Sequence, residues 1–513
     1  MTRRIVIVGG GTAGWLTAAY LVRTLAPAGW SIALVESAAI GIIGVGEGTF
    51  PTIRDTLAAI GIDEREFLRK ADGSFKQGVR FAGWTGRATP GAAADDYFHP
   101  FNLPYGGDEG LLPYWIKADG EANRPAYADA VTAQGHVVRA GRAPKRAGDP
   151  GFSGPMNYAY HFDAARFADF LRDVATANGV ERIEATIGEV RRRPDGGIAS
   201  VLPDDGRDAI AGDFFVDCSG FRALLIGKTL DVSFRSVGDT LFNDRALAIQ
   251  VPHAGPGEAI RPYTLATAHE AGWTWDIGLG ARRGIGYVYS SRHSSDEAAE
   301  RTLRAYLGGA GKAIAVRQLR FESGYRETQW VGNCAAVGLA AGFFEPLEST
   351  GIMLIEVAAR MLGDFLGAPA LDDAGMAAAG RQYNRLMAGR FAAIVEFLKL
   401  HYGISQRRDT AYWRDNTDPA SFPEGLRDKL AQWRHRPPSR FDFVVDHETF
   451  LPASWQFILY GMGFRTDPQT VGALHRDDAE AGKAFLRVFD AARQAVANLP
   501  PHRQLLEELR RAA

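Results

Sequence analysis

The chain has 513 residues, 46% of them hydrophobic, which is enough to bury a large core in two or more structural layers. Its 58 basic and 60 acidic residues give a formal net charge of -2, which argues against nucleic acid or an anionic membrane as a partner and favours a small aromatic ligand. With only two cysteines, the chain is predicted to hold neither a disulfide framework nor a metal cluster, and we expect a cytoplasmic protein.

The first elements follow the order strand, glycine turn, helix, strand. Residues 5–8 have an apolar strand pattern, residues 15–25 a helical pattern and residues 32–36 a second strand pattern, which together predict a βαβ unit. Four glycines interrupt the apolar start of the chain, and nowhere else do about 18 apolar residues follow one another, so we expect no membrane span.

The turn of this unit carries a dinucleotide-binding fingerprint. Gly9, Gly11 and Gly14 satisfy G-x-G-x-x-G, in which the first glycine permits a tight turn, the second lets the backbone approach a pyrophosphate and the third allows close helix packing. Glu36 lies 22 residues beyond Gly14, at the end of the next strand, where it can hold ribose hydroxyls. The predicted cofactor site comprises the turn and its acidic partner: Gly9, Gly11, Thr12, Ala13, Gly14 and Glu36.

The position of the fingerprint at the extreme N-terminus favours FAD over NAD as the cofactor. A second glycine-rich stretch, residues 278–284, lacks a flanking strand and an acidic partner, so the sequence indicates no separate NAD(P)H domain. A flavin that must be reduced would then need another protein to reduce it. The glycine run at residues 44–49 includes Gly46 and is either a strap over the cofactor or an ordinary loop.

Later segments return to the same sheet and then give way to helices. Residues 214–217 and 334–338 have strand patterns that end in glycine-containing turns, and runs such as residues 284–290 predict a second, antiparallel layer. From about residue 370, apolar residues recur at helical spacing. We therefore expect an α/β fold, with residues 1–370 as an FAD-binding module that carries an inserted sheet and residues 371–513 as a mostly helical part that covers the substrate.

Four features of the chain occur together in one known family. They are the fingerprint with the glycine run that follows it, residues 74–78, the pair Trp273 and Trp275, and residues 338–351. With these features the chain resembles the flavin-dependent tryptophan halogenases over most of its length. The resemblance implies a Rossmann-like FAD-binding domain of the flavin monooxygenase type. It also implies an oxidoreductase that uses reduced FAD, oxygen and chloride or bromide to make hypohalous acid, which halogenates an electron-rich aromatic ring.

The resemblance assigns the catalytic roles to Lys76 and Glu348. Lys76 matches the family's lysine, which receives the hypohalous acid through a tunnel, and a buried ammonium can hold an electrophilic halogen against one ring carbon. Glu348 matches the carboxylate that pairs with the lysine and takes the proton from the ring. The sequence pattern leaves other roles open, because Lys76 alternates with apolar residues as a surface lysine of a strand would, and Glu348 could cap the helix predicted after it.

The segment around Glu348 also matches the family's cofactor and halide sites. Gly338 and Ser349 correspond to positions on the cofactor side, and Ser349 lies between the flavin and the substrate in the family pattern. The backbone amides of Thr350 and Gly351 match the halide site, in agreement with the preference of helix N-terminal N–H groups for anions.

Trp273 and Trp275 are two residues apart, so in a strand both rings point to the same face. The resemblance implies that these rings shield the flavin from direct approach by the substrate. Two core tryptophans would show the same spacing. Gly278 stands where the family has a proline. This departure affects only the expected geometry of the local loop.

By resemblance, the aromatic substrate lies between residues that match His99, Phe101 and Trp455. A core turn at His99 is the alternative. Halogenases of free tryptophan hold the amino acid's backbone groups with a tyrosine pair and a glutamate, whereas the corresponding stretch here, residues 454–457, contains no tyrosine. We therefore expect the substrate to be indole or an indole derivative rather than free tryptophan.

The resemblance also implies the partners of the reaction. Reduced FAD and a halide ion are the expected cofactors, and a separate NAD(P)H-dependent flavin reductase is expected to supply the reduced flavin. Whether the protein forms a homodimer is left open by the sequence. Two other functions remain alternatives: an FAD-dependent aromatic hydroxylase, and a flavin-binding protein without catalysis. The natural substrate, the preferred halide and the position of halogenation do not follow from the sequence.

Overall fold

The structure, a computed structural model, describes residues 3–39, 46–86, 95–107, 110–118, 124–311, 314–368, 372–444 and 449–511. The strands in these residues are, in chain order, β1 (Arg3–Val8), β2 (Trp30–Glu36), β3 (Gly46–Gly48), β4 (Ser74–Lys76), β5 (Gly78–Ala82), β6 (Asp96–Pro100), β7 (Ala159–Asp163), β8 (Glu181–Glu184), β9 (Ile187–Arg192), β10 (Ile198–Pro203), β11 (Ile210–Ala211), β12 (Phe214–Asp217), β13 (Phe234–Ser236), β14 (Arg245–Pro252), β15 (Thr264–Ala268), β16 (Gly272–Gly278), β17 (Arg282–Tyr289), β18 (Arg317–Arg320), β19 (Gly324–Arg326), β20 (Trp330–Val331), β21 (Cys334–Ala336) and β22 (Gly342–Phe343).

The α-helices in the described residues are, in chain order, α1 (Thr12–Leu25), α2 (Ile53–Ile60), α3 (Glu64–Lys70), α4 (Leu112–Lys117), α5 (Tyr127–Val131), α6 (Gln134–Arg139), α7 (Ala164–Ala177), α8 (Asp296–Leu307), α9 (Thr350–Leu366), α10 (Asp373–Gly403), α11 (Ala411–Asn416), α12 (Glu424–Trp433), α13 (Pro452–Gly461), α14 (Pro468–Leu474), α15 (Asp478–Asn498) and α16 (His502–Arg511).

β1 lies inside a six-stranded sheet with the order β20-β21-β12-β1-β2-β8. It pairs in parallel with β2 and β12, and the parallel pairing continues to β8 on one side and β21 on the other. Residues 5–8 and 32–35 are apolar throughout because both faces of a parallel sheet are covered. The carboxyl ends of β1, β12 and β21 therefore meet at one edge, beside the start of α1.

A seven-stranded, largely antiparallel sheet has the order β18-β14-β17-β16-β15-β5-β6. One pair of neighbouring strands in this sheet, β5 and β15, is parallel. This pair joins the segment after β4 to the hairpins that come later in the chain. This sheet positions the predicted tryptophan pair on β16 and His99 on β6. It is the second layer that the sequence predicts.

A small sheet, in the order β3-β7-β4, connects the two larger parts of the fold. β7 pairs antiparallel with β3 on one side and with β4 on the other. As a result, the glycine-rich strand β3 and Lys76 at the end of β4 flank the same central strand.

The described residues beyond 371 are mostly helical, with α10 alone spanning 31 residues. One apolar core contains side chains from the parallel sheet, from β16 and from α10 and α13, so the helical part packs against the nucleotide-binding part. Within the described residues, no helix is long and apolar enough to cross a membrane. The predicted mixture of a Rossmann-like sheet, an antiparallel layer and a helical C-terminal part is confirmed, while the division at residue 370 stays a prediction.

Candidate active site

The glycine turn between β1 and α1 has the geometry of a nucleotide cradle. Gly9 has a φ of +119°, and a Cβ at this position would lie 2.2 Å from the carbonyl oxygen of Cys218. A Cβ on Gly14 would lie 1.8 Å from the carbonyl oxygen of Gly9, whereas one on Gly11 would meet no atom within 4 Å. The fold therefore requires glycine at positions 9 and 14, and Gly11 leaves the open approach that a pyrophosphate needs.

A cavity of about 820 Å³ opens in front of this turn. Most of the predicted cofactor and halide residues line it: Gly9, Gly11, Thr12, Ala13, Glu36, Gly46, Gly338, Ser349, Thr350 and Gly351. Gly14 does not line the cavity, in keeping with its packing role between α1 and the turn. A chamber of this size beside a helix N-terminus fits an extended dinucleotide such as FAD.

Glu36 faces this cavity and is fixed by two neighbours. Its Oε2 accepts a hydrogen bond of 3.1 Å from the indole N–H of Trp15, and its Oε1 accepts one of 2.6 Å from Nε of Arg182. Each carboxylate oxygen has a second lone pair, so Glu36 can still accept ribose hydroxyls. The fingerprint predicts the glutamate but neither of the groups that orient it.

The strand β3 lies between the cavity and Lys76. A Cβ on Gly48 would lie 2.9 Å from Oγ of Ser349 and 3.3 Å from Nζ of Lys76, so this face of the strand has no room for a side chain. The intervening Glu47 lines the cavity, and burial raises the pKa of its carboxyl to about 7. Residues 44 and 45 of the predicted strap lie outside the described residues.

Lys76 is fully buried at the end of β4 and does not face water. Its Nζ donates a hydrogen bond of 2.9 Å to Oγ of Ser349 and lies 5.3 Å from the centre of the Phe101 ring. Burial lowers the pKa of Lys76 to about 8, and the charge of Glu348 opposes that shift. The ammonium is therefore the majority form near neutral pH, but the free amine is more accessible than in an exposed lysine.

Glu348 is buried in the 3₁₀ turn that precedes α9. Its Oε1 lies 2.9 Å from Nδ1 of His99 and 3.2 Å from Nε2 of His401. Its Oε2 is buried and has no hydrogen-bond partner among the described residues. Burial by itself would raise the pKa of Glu348, but the two imidazoles outweigh burial and lower the pKa to about 2.

Lys76 and Glu348 are close enough for their charges to interact, but no direct ion pair joins them in the part of the chain that the structure describes. The hydrogen-bond partner of Lys76 is Ser349, the residue that follows Glu348. Ser349 also lines the cofactor cavity, so its side chain stands between the cavity and the lysine. Lys76 itself does not line the cavity, so Ser349 is the residue that contacts both the cavity and the lysine.

The predicted halide residues form the start of α9. Ser349 is the residue before the helix and adopts the left-handed conformation, with a φ of +59°. Thr350 and Gly351 follow in the first turn, where backbone N–H groups have no partner within the helix. A Cβ on Gly351 would meet no atom within 4 Å, which leaves this turn open on the cavity side. The turn can therefore bind a small anion.

Trp273 and Trp275 lie on β16 with their ring centres 6.4 Å apart. Trp275 lines the cofactor cavity, while Trp273 is fully buried behind it. The indole N–H of Trp273 donates a hydrogen bond of 3.1 Å to Oε2 of Glu345. Because Glu345 is three residues before Glu348, this bond connects the tryptophan wall to the loop that carries the carboxylate, and the motif comparison did not predict it.

The predicted substrate-side residues belong to one aromatic cluster. Its members are His99, Phe101, Trp455 and three phenylalanines that the sequence analysis missed, Phe50, Phe397 and Phe450. The ring of Phe397 lies 6.1 Å from His99 and 5.0 Å from Trp455, and it stacks on Phe450 at 3.7 Å. Phe50 connects Phe450 to Phe101. The helical periodicity of α10 predicts that Phe397 is buried. It does not show which residues of other elements Phe397 contacts.

The parallel sheet with its glycine cradle, the large cavity and the second sheet with a tryptophan wall define an FAD-binding oxidoreductase fold. A family profile described as tryptophan halogenase matches residues 4–477. The chain belongs to this family and is a flavin-dependent halogenase.

Individual relatives resemble the chain over nearly its whole length. The chain is 37% identical to tryptophan 6-halogenase SttH from Streptomyces toxytricini, covering 97% of this chain and 96% of the relative. It is 36% identical to 7-chloro-L-tryptophan 6-halogenase KtzR from Kutzneria sp. (strain 744), with 99% of both chains covered. The crystal structure of a tryptophan halogenase from Shewanella frigidimarina NCIMB 400 is similar with a TM-score of 0.93 and 39% identity, covering 99% of this chain and 98% of that one.

Proposed function

We propose that this halogenase uses reduced FAD, oxygen and chloride or bromide to halogenate indole or an indole derivative, with Lys76 delivering the halogen. The observation that carries the proposal is the fully buried Lys76 ammonium, bonded to Ser349 at the boundary between the cofactor cavity and the aromatic cluster. A lysine on the surface would not place an ammonium between the cofactor cavity and the aromatic cluster. A flavin site open to the substrate would not need one there.

The cofactor cavity suits FAD through its own backbone and side chains. The start of α1 and Gly11 would face the pyrophosphate, and Glu36, held by Trp15 and Arg182, would accept the ribose hydroxyls. When bound and reduced, FAD together with oxygen supplies the oxidising equivalent that turns halide into hypohalous acid. The chain has no second fingerprint of the same kind, so a separate NAD(P)H-dependent flavin reductase is the proposed source of reduced flavin.

Lys76 would hold the hypohalous acid by donating a hydrogen bond from Nζ to its oxygen. The ring carbon of the substrate then attacks the halogen, the oxygen–halogen bond breaks, and the oxygen takes a proton from Lys76 and leaves as water. The pKa of about 8 favours this role, because the ammonium predominates near neutral pH and yet gives up its proton more readily than an exposed lysine. The aromatic walls keep bulk water, which would carry off the oxidant, away from this step.

Glu348 would complete the reaction by taking the ring proton on Oε2, the oxygen without a partner. A halogenated ring with an extra proton is a very strong acid, so even a carboxylate with a pKa of about 2 can accept that proton. The negative charge of Glu348 also stabilises the positive charge that develops on the ring before the proton leaves. The low pKa keeps Glu348 ionised across the working pH range.

The aromatic cluster favours a substrate with few polar groups. The relatives SttH and KtzR are named for tryptophan substrates, which usually need an anchor for ammonium and carboxylate groups. Residues 454–457 have no tyrosine and form part of α13, where Gln456 is already bonded to the hydroxyl of Tyr127. Residues 445–448 lie outside the described residues. Indole itself needs only the ring contacts that the cluster offers.

Mass spectrometry of reaction products tests the proposal. Purified protein is incubated with FAD, a flavin reductase, NADH, bromide and either indole or free tryptophan. We expect the bromine isotope pattern on indole and a higher kcat/KM for indole than for tryptophan. A clearly higher value for tryptophan would refute the substrate assignment. A product heavier by one oxygen would identify a hydroxylase, which the wall formed by Trp273 and Trp275 argues against, and the lack of any product would refute the proposed activity.

A further inference from the structure

A row of buried polar side chains leads from Glu348 away from the aromatic cluster. Nε2 of His401 lies 3.2 Å from Oε1 of Glu348, and Nδ1 of the same ring lies 3.0 Å from the hydroxyl of Tyr97. His401 is completely buried on α10, and Tyr97 is buried on β6 two residues before His99. Tyr97 and His99 therefore point to the same face of β6, where both serve the same carboxylate, His99 directly and Tyr97 through His401.

The hydroxyl of Tyr97 decides which nitrogen of His401 carries the proton. A buried tyrosine O–H must donate to some acceptor, and within the described residues its partner is Nδ1 of His401. Burial lowers the pKa of His401, which favours the neutral ring with a single N–H. If Nδ1 accepts from Tyr97, that N–H is on Nε2, the nitrogen beside Glu348.

We propose that Tyr97 and His401 are positioning residues, in which Tyr97 holds His401 in the tautomer that directs Nε2–H at Oε1 of Glu348. This inference rests on the proposed function of Glu348 as the acceptor of the ring proton. Nδ1 of His99 approaches the same oxygen at 2.9 Å, so two N–H groups converge on Oε1 and leave Oε2 for the substrate. Tyr97 and His401 thereby give the two carboxylate oxygens different roles: Oε1 accepts hydrogen bonds from the histidines, and Oε2 accepts the ring proton.

The alternative tautomer would oppose the reaction. With the proton on Nδ1, Nε2 would present no N–H to Oε1, and Glu348 would keep only the N–H from His99 at that oxygen. The contact between Nε2 and Oε1 does not have the alignment of a hydrogen bond, whereas the contact from His99 does, so the orientation of the His401 ring determines whether that bond forms. The groups that face Glu348 are His99 and Tyr97 from β6, His401 from α10 and Lys76 from β4.

Nitrogen NMR of the protein labelled with ¹⁵N-histidine tests the tautomer without any substrate. The His401 resonances are assigned as those missing in the His401→Gln variant. In the parent protein we expect a neutral ring protonated on Nε2, and in Tyr97→Phe a mixture of both tautomers. A parent ring protonated on Nδ1, a cationic ring, or an unchanged Nε2–H tautomer in Tyr97→Phe would overturn the inference.

The pH dependence of halogenation tests the consequence for Glu348. Losing the oriented N–H removes one of the groups that lower its pKa, while His99 remains, so the pKa of Glu348 should rise from about 2. Protonated Glu348 cannot accept the ring proton. The Tyr97→Phe variant should therefore lose kcat as the pH falls below this raised pKa, by about tenfold per pH unit, while KM changes little because Tyr97 is not among the proposed substrate contacts.

Tyr460→Phe is the matched control for removing a buried tyrosine hydroxyl. Tyr460 bonds to Thr466 at 3.0 Å and has no hydrogen bond to His401 or Glu348 in the described residues. It should keep the parent pH profile, and a low-pH loss shared by both variants, or absent from Tyr97→Phe, would overturn the positioning role. If the parent makes no halogenated product, the proposed function fails, and the NMR result still decides the tautomer.

Discussion

At the scale of single residues, the site depends on charges held away from water. Lys76 and Glu348 are both buried, yet burial has opposite outcomes for them. Burial outweighs the charge of Glu348 at Lys76, so the pKa of Lys76 falls to about 8. Glu348 has two imidazoles on one oxygen, so its pKa falls to about 2 although burial alone would raise it. Both shifts suit the proposed reaction, which needs a proton donor and an ionised acceptor.

Replacing Lys76 by alanine should separate flavin oxidation from halogenation. The variant should bind FAD and consume reduced flavin as the parent does, because Lys76 is not part of the nucleotide cradle. Product formation should fall by roughly 10²-fold or more, as expected for loss of a positioned acid. The measurement is halogenated product formed per reduced flavin consumed, with Lys483→Ala, an exposed lysine, as the control. Normal product yield in Lys76→Ala would remove the lysine from the mechanism.

Glu348→Gln should have a smaller effect than Lys76→Ala, because solvent or a neighbouring group can eventually remove a very acidic ring proton. We expect a loss of about tenfold to 10²-fold in kcat. The diagnostic measurement compares indole with ring-deuterated indole. Proton removal should become slow in the glutamine variant, so an isotope effect should appear there and be weak in the parent. Equal rates for Glu348→Gln and the parent would contradict the proton-accepting role.

At the scale of secondary-structure elements, the last helix fixes the strand that carries Lys76. His502, at the start of α16, accepts a hydrogen bond of 3.1 Å at Nε2 from the backbone N–H of Phe75 and donates one of 2.9 Å from Nδ1 to the carbonyl of Ile260. Near the end of α16, Arg510 donates to the carbonyl of Gly73. His502, which is 426 positions from Lys76 in the sequence, thus helps to position the strand that carries the lysine. No local sequence pattern around either residue indicates this contact.

His502→Ala should lower stability and flatten its pH dependence. Burial lowers the pKa of His502 from 6.5 to about 4, so the folded protein resists protonation while the unfolded chain accepts it. Stability from this group is complete above about pH 6.5 and is lost as the pH falls towards 4. In the variant, the free energy of unfolding at pH 7 should fall by about 1–3 kcal/mol, since Phe75 loses its buried acceptor.

Urea unfolding at several pH values measures both effects of His502→Ala. The control is His435→Ala, because His435 is exposed and should leave the parent curve unchanged. A parent-like slope of stability between pH 4 and 6.5 in His502→Ala would show that another group causes the pH dependence.

At the scale of the whole molecule, the cofactor cavity is assembled from distant parts of the chain. Its lining runs from Val8 in β1 to Phe391 in α10 and includes Trp275 from the antiparallel sheet. A ligand in this cavity contacts both the nucleotide-binding part and the helical part. The proposed FAD should therefore stabilise the molecule as a unit rather than one segment of it.

FAD should raise the melting temperature, and the shift should grow with the logarithm of the FAD concentration above Kd. At an FAD concentration of about 100 times Kd, the gain is roughly 2.7 kcal/mol, which corresponds to several degrees for a chain of this size. Differential scanning fluorimetry would be unsuitable because FAD itself fluoresces, so circular dichroism is the measurement. Gly11→Val is a test variant, since its side chain would occupy the open approach to the turn without clashing with the fold. An equal shift in Gly11→Val and the parent would place FAD elsewhere.

The nucleotide-binding unit can be predicted from the amino-acid sequence alone, because its requirements are local. Gly9, Gly11, Gly14 and Glu36 depend on one turn and the two strands beside it, and periodicity identifies those elements. The motif resemblance likewise predicts Lys76, Glu348 and the tryptophan pair as members of one site. It could not say that Lys76 is buried, because an alternating strand pattern is the same for a lysine that faces water and for one that faces a dry cleft.

The groups that surround those residues become known only from the folded chain. His401 from α10, Tyr97 from β6, Glu345 beside the tryptophan wall and His502 from the last helix act through contacts between segments tens to hundreds of residues apart. Helix and strand periods show that a residue faces inwards, but not which inward-facing residue of another element it meets. The pKa values of Lys76 and Glu348 depend on these contacts between elements. So does the proposed use of Oε2 rather than Oε1 of Glu348 as the proton acceptor.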